Sequence, residues 1–497
     1  MPAPSPSVTL TPAERAALGA AVERAREAAL AAGGPVLLAC AVPLAACDPL
    51  ALLEALGSGA EALPAAGADP PHSPPAPFRF HWERPGAGLA LAAGGVTQHF
   101  TAEGPQRFRL AAEQVQAALR QAVSANLGGV APEDGAGPYV LGGFSFFDQV
   151  DAAHWPGFGA ARLVVPAWLV LRQAGACQGV VCVRVAAAAA PADLTARLAA
   201  ALEALRAAAE APAPEHTNGR NRAFRSEARE DGHARWLEVV RLARDRIRSG
   251  ALSKVVLARA LDLVCEAAPS PFGLLRRLRA AYPDCFNFLV DPGAGQVFLG
   301  ATPELMARFG GGRVHLAAVA GTVPRGPTPD AEAAYARYLR GSRKEREEHQ
   351  IVVDGILASL QGLGRVDCPE QPAVLKLSNV QHLYTPITLA PAQPLPMLAL
   401  LERLHPTPAV GGHPREEALA LIRECERFER GWYAAPVGWI NRRGEGEFAV
   451  ALRTGKLAGN RLQLFAGGGI VADSDPEREY EETQIKFQPL LSALASE

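Results

Sequence analysis

The sequence predicts an α+β protein with largely antiparallel sheets and flanking helices. Three features carry this reading. Short apolar runs rich in β-formers recur along the chain, and two long helical stretches follow polar starts. Strands and helices come in groups and do not alternate strictly, as βαβ units would. The 497 residues suffice for two to four domain-sized units.

In chain order, Phe78 to Trp82, Tyr139 to Phe147 and Leu163 to Leu171 read as strands among Ala-rich helical stretches. The alanine run Ala186 to Ala190 favours helix without specifying a face. Gly57 to Pro77, rich in Pro, Gly and Ala, and Ala211 to Asn221, polar with prolines, read as loops or linkers. The second divides the chain into a β-rich region over 1–210, a linker over 211–222 and a catalytic part over 223–497, the two parts packing as one body. No repeat of solenoid length stands out. Beyond the linker, Trp236, Val239, Val240, Ala243 and Ile247 fall at helical spacing, with Gly250 placed as a C-terminal cap. Lys254-Val-Val-Leu-Ala-Arg reads as a strand. So do Val297 to Phe309, Val314 to Val319, Ala434 to Ile440, Glu447 to Leu452 and Leu462 to Phe465. Arg343 to Leu360 and Pro476 to Leu494 are the two long helices.

Composition excludes several classes. Lys and Arg number 49 against 51 Asp and Glu, dispersed along the chain, so no basic stripe is present to neutralise nucleic-acid phosphates. The eight cysteines lack Cys-x-x-Cys pairs, which argues against a zinc site or disulfide framework and suits a reducing cytosol. The start, Met1-Pro-Ala-Pro-Ser-Pro, has no basic region of a signal peptide. Apolar runs fall far short of the roughly 20 residues of a membrane helix. A cytoplasmic protein without a membrane segment is expected.

Glu345 and Glu348 are three apart, as are Glu479 and Glu482, so each pair shares one face of a long helix. Two such pairs meeting across a cleft would need a cation between them, and an all-oxygen donor set suits Mg²⁺. Alone, each pair reads as ordinary helix chemistry, since Ser342-x-x-Glu345 matches a capping box. Lys254, at the start of an apolar strand, reads as an edge lysine; buried beside a cleft, its amine could act as a general base. Glu304 follows a strand and a turn signal and by itself reads as a turn acid. Gly467, Gly468 and Gly469 follow a strand, where backbone N–H groups could approach an anion, or form an ordinary loop. Arg453 ends a strand, where a guanidinium could bind a carboxylate or simply face water.

Together these pieces resemble the chorismate-binding enzymes: isochorismate and salicylate synthases, and the large subunits of anthranilate and aminodeoxychorismate synthases. The blocks run Ser253-Lys-Val-Val-Leu-Ala-Arg259, Phe298-Leu-Gly-Ala-Thr-Pro-Glu-Leu305, Ala320-Gly-Thr-Val-Pro-Arg-Gly326, Lys344-Glu-Arg-Glu-Glu-His349 and Val380-Gln-His-Leu383. They continue with His405-Pro-Thr-Pro-Ala-Val410, Arg430-Gly-Trp-Tyr-Ala-Ala-Pro-Val-Gly-Trp439, Arg453-Thr, Ala466-Gly-Gly-Gly-Ile470 and Glu479-Tyr-Glu-Glu-Thr-Gln-Ile-Lys486. They span Ala223 to the C-terminus, with weaker echoes at Phe80-His-Trp-Glu-Arg-Pro85 and Gly142-Gly-Phe-Ser-Phe-Phe147.

The resemblance implies an anthranilate synthase component I-like fold. It implies Lys254 as the base that activates water and Glu304 as the acid that protonates the departing hydroxyl. Glu348 and Glu482 would hold Mg²⁺, with Glu345 and Glu479 close by. Tyr433, Arg453, Gly467, Gly468, Gly469 and Lys486 would hold the carboxylates of chorismate, and His382 would lie near its ring. Ala435, where the family often has Gly, and Gly468, where it often has Ala, are small-for-small departures.

Among the members, isochorismate synthase fits best. The ammonia users carry an Arg-Asn-Asp run after the Glu-His helix motif, where this chain has Val353-Asp-Gly-Ile-Leu-Ala-Ser359. The aminodeoxychorismate type often has a lysine where Ala320 stands. Water is the expected nucleophile, so no glutamine amidotransferase partner is expected. Salicylate synthase, with pyruvate elimination, is the second reading, ahead of the ammonia-using types and of a non-catalytic chorismate-binding relative. The product would feed menaquinone or siderophore synthesis.

Overall fold

The computed structural model describes residues 8–57, 77–130, 137–212, 224–226, 232–377 and 380–495. Among these, two sheets of thirteen and ten strands carry the fold. From one edge the larger runs through Phe224–Ser226, Lys254–Cys265, Arg461–Ile470, Thr454–Ala458, Val297–Thr302 and Phe286–Asp291. It continues through Arg79–Arg84, Leu89–Gly94, Trp168–Gln173, Ala176–Val185, Val36–Leu44 and Val123–Asn126. The smaller runs Gly364–Asp367, Val380–Pro391, Arg313–Pro324, Leu305–Gly310 and Gly446–Val450. Pro436–Asn441, Tyr139–Phe144, Ala161–Val165 and Gln98–Ala102 follow, and two short strands pair outside these paths, Gly412–His413 on Lys254–Cys265 and Ala373–Lys376 on Val380–Pro391. The pairings are antiparallel except that of Val36–Leu44 with Val123–Asn126. Strands from both sides of residues 211–222 share each sheet: Phe286–Asp291 pairs with Arg79–Arg84, and Pro436–Asn441 with Tyr139–Phe144.

The two sheets meet through aromatic side chains, among them Trp82, Phe144, Phe288, Phe298 and Phe448. The indole N–H of Trp82, on the larger sheet, donates to Glu447 Oε1 on the smaller at 2.7 Å. That bond satisfies a buried donor that burial would otherwise penalise. Helices Pro12–Ala32, Pro191–Glu210, Pro271–Ala281 and Pro476–Ala495 pack on the larger sheet; Arg107–Arg120, Arg343–Leu360 and Met397–Leu404 pack on the smaller.

Local chemistry explains most boundaries. In helix Gly232–Arg248 the buried residues are Trp236, Val239, Val240, Ala243 and Ile247, one stripe at 3.6-residue spacing. Gly250 takes a left-handed φ of 84°, and its N–H and that of Ala251 donate to the last carbonyls of the helix. Ser342 caps helix Arg343–Leu360 by accepting from the Glu345 N–H.

Four expectations need correction. Leu163 to Leu171 is two strands in different sheets, Ala161–Val165 and Trp168–Gln173. Pro166 stands between them and has no N–H for a ladder. Val297 to Phe309 divides at Pro303 for the same reason and also changes sheets. The run Ala186 to Ala190 is a turn, and helix starts only at Pro191. A residue before proline is driven to extended backbone, which outweighs alanine's propensity. Tyr139 to Phe147 ends as a strand at Phe144. The loop Gly57 to Pro77 and the linker Ala211 to Asn221 lie almost wholly outside the described residues. No helix among those described is long and apolar enough to cross a membrane.

Candidate active site

One cavity forms where the two sheets and the two long helices converge. Lys254, Glu304, Glu348, His382, Tyr433, Arg453, Gly467, Gly469, Glu482 and Lys486 all line it. Each arrives for a local reason. Lys254 opens the strand Lys254–Cys265 and is 1% exposed. Its Nζ lies 3.0 Å from Glu348 Oε1 on helix Arg343–Leu360.

Glu304 sits where the chain crosses from the larger sheet to the smaller. The Thr302 hydroxyl donates to the Val450 carbonyl at 2.6 Å and accepts from the Glu304 N–H at 3.3 Å, while the Val450 N–H donates to the Glu304 carbonyl. This turn fixes the side chain toward the cavity. Burial pushes the Glu304 carboxyl up to about 7, against the pull of Lys254, Lys486 and Arg453. A carboxylic acid that keeps its proton near neutrality can serve as a general acid.

Arg453 and Tyr433 flank the base of the hairpin Pro436–Asn441 and Gly446–Val450. Two residues there, Ala434 and Arg453, hold left-handed φ of 60° and 52°. Each costs on the order of 1 kcal/mol for a residue with a Cβ. Arg453 is buried and has no side-chain hydrogen bond or ion pair among the described residues. A buried guanidinium with open donors is a carboxylate receptor in wait.

The His382 ring stands within hydrogen-bond distance of the Gly321 carbonyl and the Thr322 hydroxyl through Nδ1, at 3.2 and 3.1 Å. The carbonyl can only accept, so Nδ1 carries the proton and Nε2 is an acceptor. Nε2 is buried without a partner. Burial and the charges of Arg453 and Lys486 push this imidazole down to about 3, so it is neutral.

The glycine run is not a loop. Gly467, Gly468 and Gly469 lie inside strand Arg461–Ile470, paired with Ala258, Leu257 and Val256. On the other side the strand Thr454–Ala458 pairs only as far as Phe465, so the edge beyond Phe465 is open. Lys486 Nζ donates to the Gly467 carbonyl there at 2.7 Å. A strand residue turns its N–H and C=O to one side and its neighbours' to the other. The amides of Gly467 and Gly469 therefore face the cavity and that of Gly468 faces its partner strand. The glycines also make room: a Cβ on Gly469 would stand 2.4 Å from Glu348 Oε1.

Four carboxylates do converge, but lysines meet three of them. Lys254 holds Glu348, Lys344 holds Glu479 at 3.0 Å, and Lys486 holds Glu482 at 2.7 Å. The expectation that only a cation could reconcile them is thus corrected: ammonium groups already do part of that work. Glu345 and Glu479 stand beside the cavity and do not line it. Burial, with Glu348 against Glu345 and Glu482 against Glu479, pushes both up to about 7. Burial would raise Glu482 as well, but Lys486 outweighs it and holds the carboxyl below its ordinary value. Among the described residues no three such side chains are gathered closely enough to hold a metal ion. Their mutual repulsion and all-oxygen chemistry nonetheless fit Mg²⁺ once the carboxylates turn from their lysines.

Sequence reasoning gave no role to two cavity neighbours. Arg430 is 1% exposed, donates to the Val256 and Val410 carbonyls and pairs with Glu426 at 2.5 Å. It ties the Lys254 strand to the segment beside Tyr433, whose ring it faces. Lys344 had a signal in its place beside Glu345, but its partner is 135 residues away.

A buried acid, a buried lysine and free guanidinium and amide donors around one cavity define an acid–base enzyme for a small anionic substrate. The chain belongs to the chorismate binding enzyme family, whose model matches residues 64–495. It is 35% identical to the salicylate biosynthesis isochorismate synthase of Pseudomonas aeruginosa over 97% of this chain and 94% of that protein. Identity is again 35% with the isochorismate synthase MenF of Bacillus subtilis, over 84% and 88%. The menaquinone-specific isochorismate synthase MenF of Escherichia coli superposes with a TM-score of 0.71 at 26% identity, over 95% of this chain and 100% of that one.

Proposed function

We propose that the protein is an isochorismate synthase that interconverts chorismate and isochorismate reversibly. The observation that carries this is Glu304, an acid poised near neutrality, lining the same cavity as buried Lys254. Water adds at C2 of the ring as the C4 hydroxyl departs and the double bonds shift. Lys254 takes the proton from water, and Glu304 gives one to the leaving hydroxyl. Arg453, Tyr433, Lys486 and the Gly467 and Gly469 amides hold the substrate's two carboxylates. His382 offers Nε2 as an acceptor to a ring hydroxyl. Glu348 and Glu482 would hold Mg²⁺, with Glu345 and Glu479 beside them; when bound, it offsets the negative charge of the substrate. With water as nucleophile, no glutaminase subunit is needed.

The test is a product assay. Pure enzyme with chorismate and Mg²⁺ should give a mixture of chorismate and isochorismate with little pyruvate. Starting from isochorismate should reach the same mixture, since one acid and one base serve both directions. Stoichiometric pyruvate with salicylate would make it a salicylate synthase. An aminated product that requires ammonium would move it to the anthranilate branch, and no turnover at all would leave a binding protein.

A further inference from the structure

A second hollow, separate from the active cavity, lies on the smaller sheet where helices Arg107–Arg120 and Met397–Leu404 meet the tip of the hairpin Pro436–Asn441 and Gly446–Val450. Its volume of about 500 Å³ falls within the roughly 300–1,000 Å³ usual for small-molecule sites. Val115, Leu119, Phe309, Leu395 and Ile440 give it an apolar floor. Its charged lining is of one sign: Arg120, Arg442 and Arg443, with no acidic residue. Arg443 shares Glu445, and Arg442 donates to the Ser124 hydroxyl. Arg120 has neither a hydrogen bond nor an ion pair among the described residues. An apolar floor under guanidinium groups suits a molecule with a flat apolar body and one carboxylate.

The elements that build this hollow also build the active cavity. Strand Leu305–Gly310 places Phe309 in the hollow and begins beside Glu304, roughly 17 Å away at the rise of a strand. Helix Met397–Leu404 starts in the hollow and leads to Ala409 and Val410 on the cavity wall. The hairpin puts Arg443 at its tip and the strained Ala434 and Arg453 at its base. A ligand that shifts any of these elements at one end moves catalytic groups at the other.

We propose that this hollow is a regulatory site for a small aromatic monocarboxylate, its ring on the apolar floor and its carboxylate against Arg120 and Arg443. The binding half stands on its own; the coupling rests on the active site described above.

Salicylate is the probe, titrated by calorimetry into the full-length protein without chorismate, then added to the turnover assay. Saturable binding is expected, weakened at least ~10-fold in the Arg120→Ala, Arg443→Ala double variant, whose basal turnover is unchanged. Benzyl alcohol, with the ring but no charge, should bind at least ~10-fold more weakly. Turnover should change with salicylate in a way that excess chorismate does not relieve. No saturable binding overturns the proposal, as does binding that chorismate displaces and the double variant leaves intact. Binding without any change in turnover removes the regulatory role. Self-association abolished by the double variant would give the hollow to a second copy of the chain instead. Calorimetry needs no turnover, so its outcome is independent of the reaction assigned to the cavity.

Discussion

Lys254 and Glu304 occupy opposite electrostatic situations within one cavity. Lys254 is an ion-paired base candidate, whereas Glu304 has no direct counter-ion among the described residues and is kept from ionising by burial. Lys254→Ala should fold but lose at least ~10²-fold in turnover, and near-normal turnover in the folded variant would remove it from the mechanism. Glu304→Gln should lose turnover comparably, and the parent's rate should fall as pH rises through about 7, because the acid then loses its proton. The same shift has a consequence for stability. In the unfolded chain this carboxyl ionises in its ordinary range, so between that range and about 7 the folded protein holds the extra proton. Its contribution therefore declines as pH rises through that window. Glu304→Gln should melt higher than the parent at pH 8, with the gap closing toward pH 4. An equal gap at both pH values would mean that the carboxyl is not shifted.

Strand Arg461–Ile470 and the two long helices meet across a gap that glycine creates. At Gly469 an added methyl meets the flexible ends of Glu348 and Lys254; at Gly467 it meets the Leu257 carbonyl of the paired strand at 2.8 Å. Gly469→Ala should keep its Tm within a few degrees while losing at least ~10-fold in turnover, because displaced side chains cost less than a displaced backbone. Gly467→Ala should lower stability by about 1–3 kcal/mol, measured by denaturant melts. Equal stability of the two variants would refute this account of the strand. The helices also carry the metal question. Excess chelator should abolish activity and added Mg²⁺ restore it, and Glu348→Ala or Glu482→Ala should weaken metal-dependent substrate binding. Full activity in chelator would exclude the metal.

At the scale of the molecule, each sheet joins the two halves of the chain edge to edge at one strand pair. Strand Arg79–Arg84 lies between Phe286–Asp291 and Leu89–Gly94, and Tyr139–Phe144 between Pro436–Asn441 and Ala161–Val165. Residues 223–497 alone would expose two long unpaired strand edges and the aromatic face around Phe288 and Phe448. That fragment should aggregate or lack turnover, and co-expression with residues 1–210 should restore soluble, active protein. A soluble, active 223–497 fragment would show that the N-terminal strands are dispensable.

Much of this was legible in the sequence. The α+β class, the apolar stripe of helix Gly232–Arg248, both long helices and the shared helix faces of the paired glutamates rest on local periodicity, whereas the grouping of Lys254 and Glu304 with Glu348 and Glu482 was legible only through the resemblance in motif order. The glycine strand was misread because three glycines signal a loop locally, while their pairing with residues 256–258 is fixed by a strand some 200 residues away. Pro166 and Pro303 mark breaks that sequence shows, but not that each break passes the chain between sheets. The pairing of Lys486 with Glu482 is an i,i+4 helix pair that the sequence could show, but the pairings of Lys254 with Glu348 and of Lys344 with Glu479, the left-handed Ala434 and Arg453 and the tie made by Arg430 could not be read locally. They depend on burial and on neighbours distant in the chain, and those are set only when the two sheets close on one another.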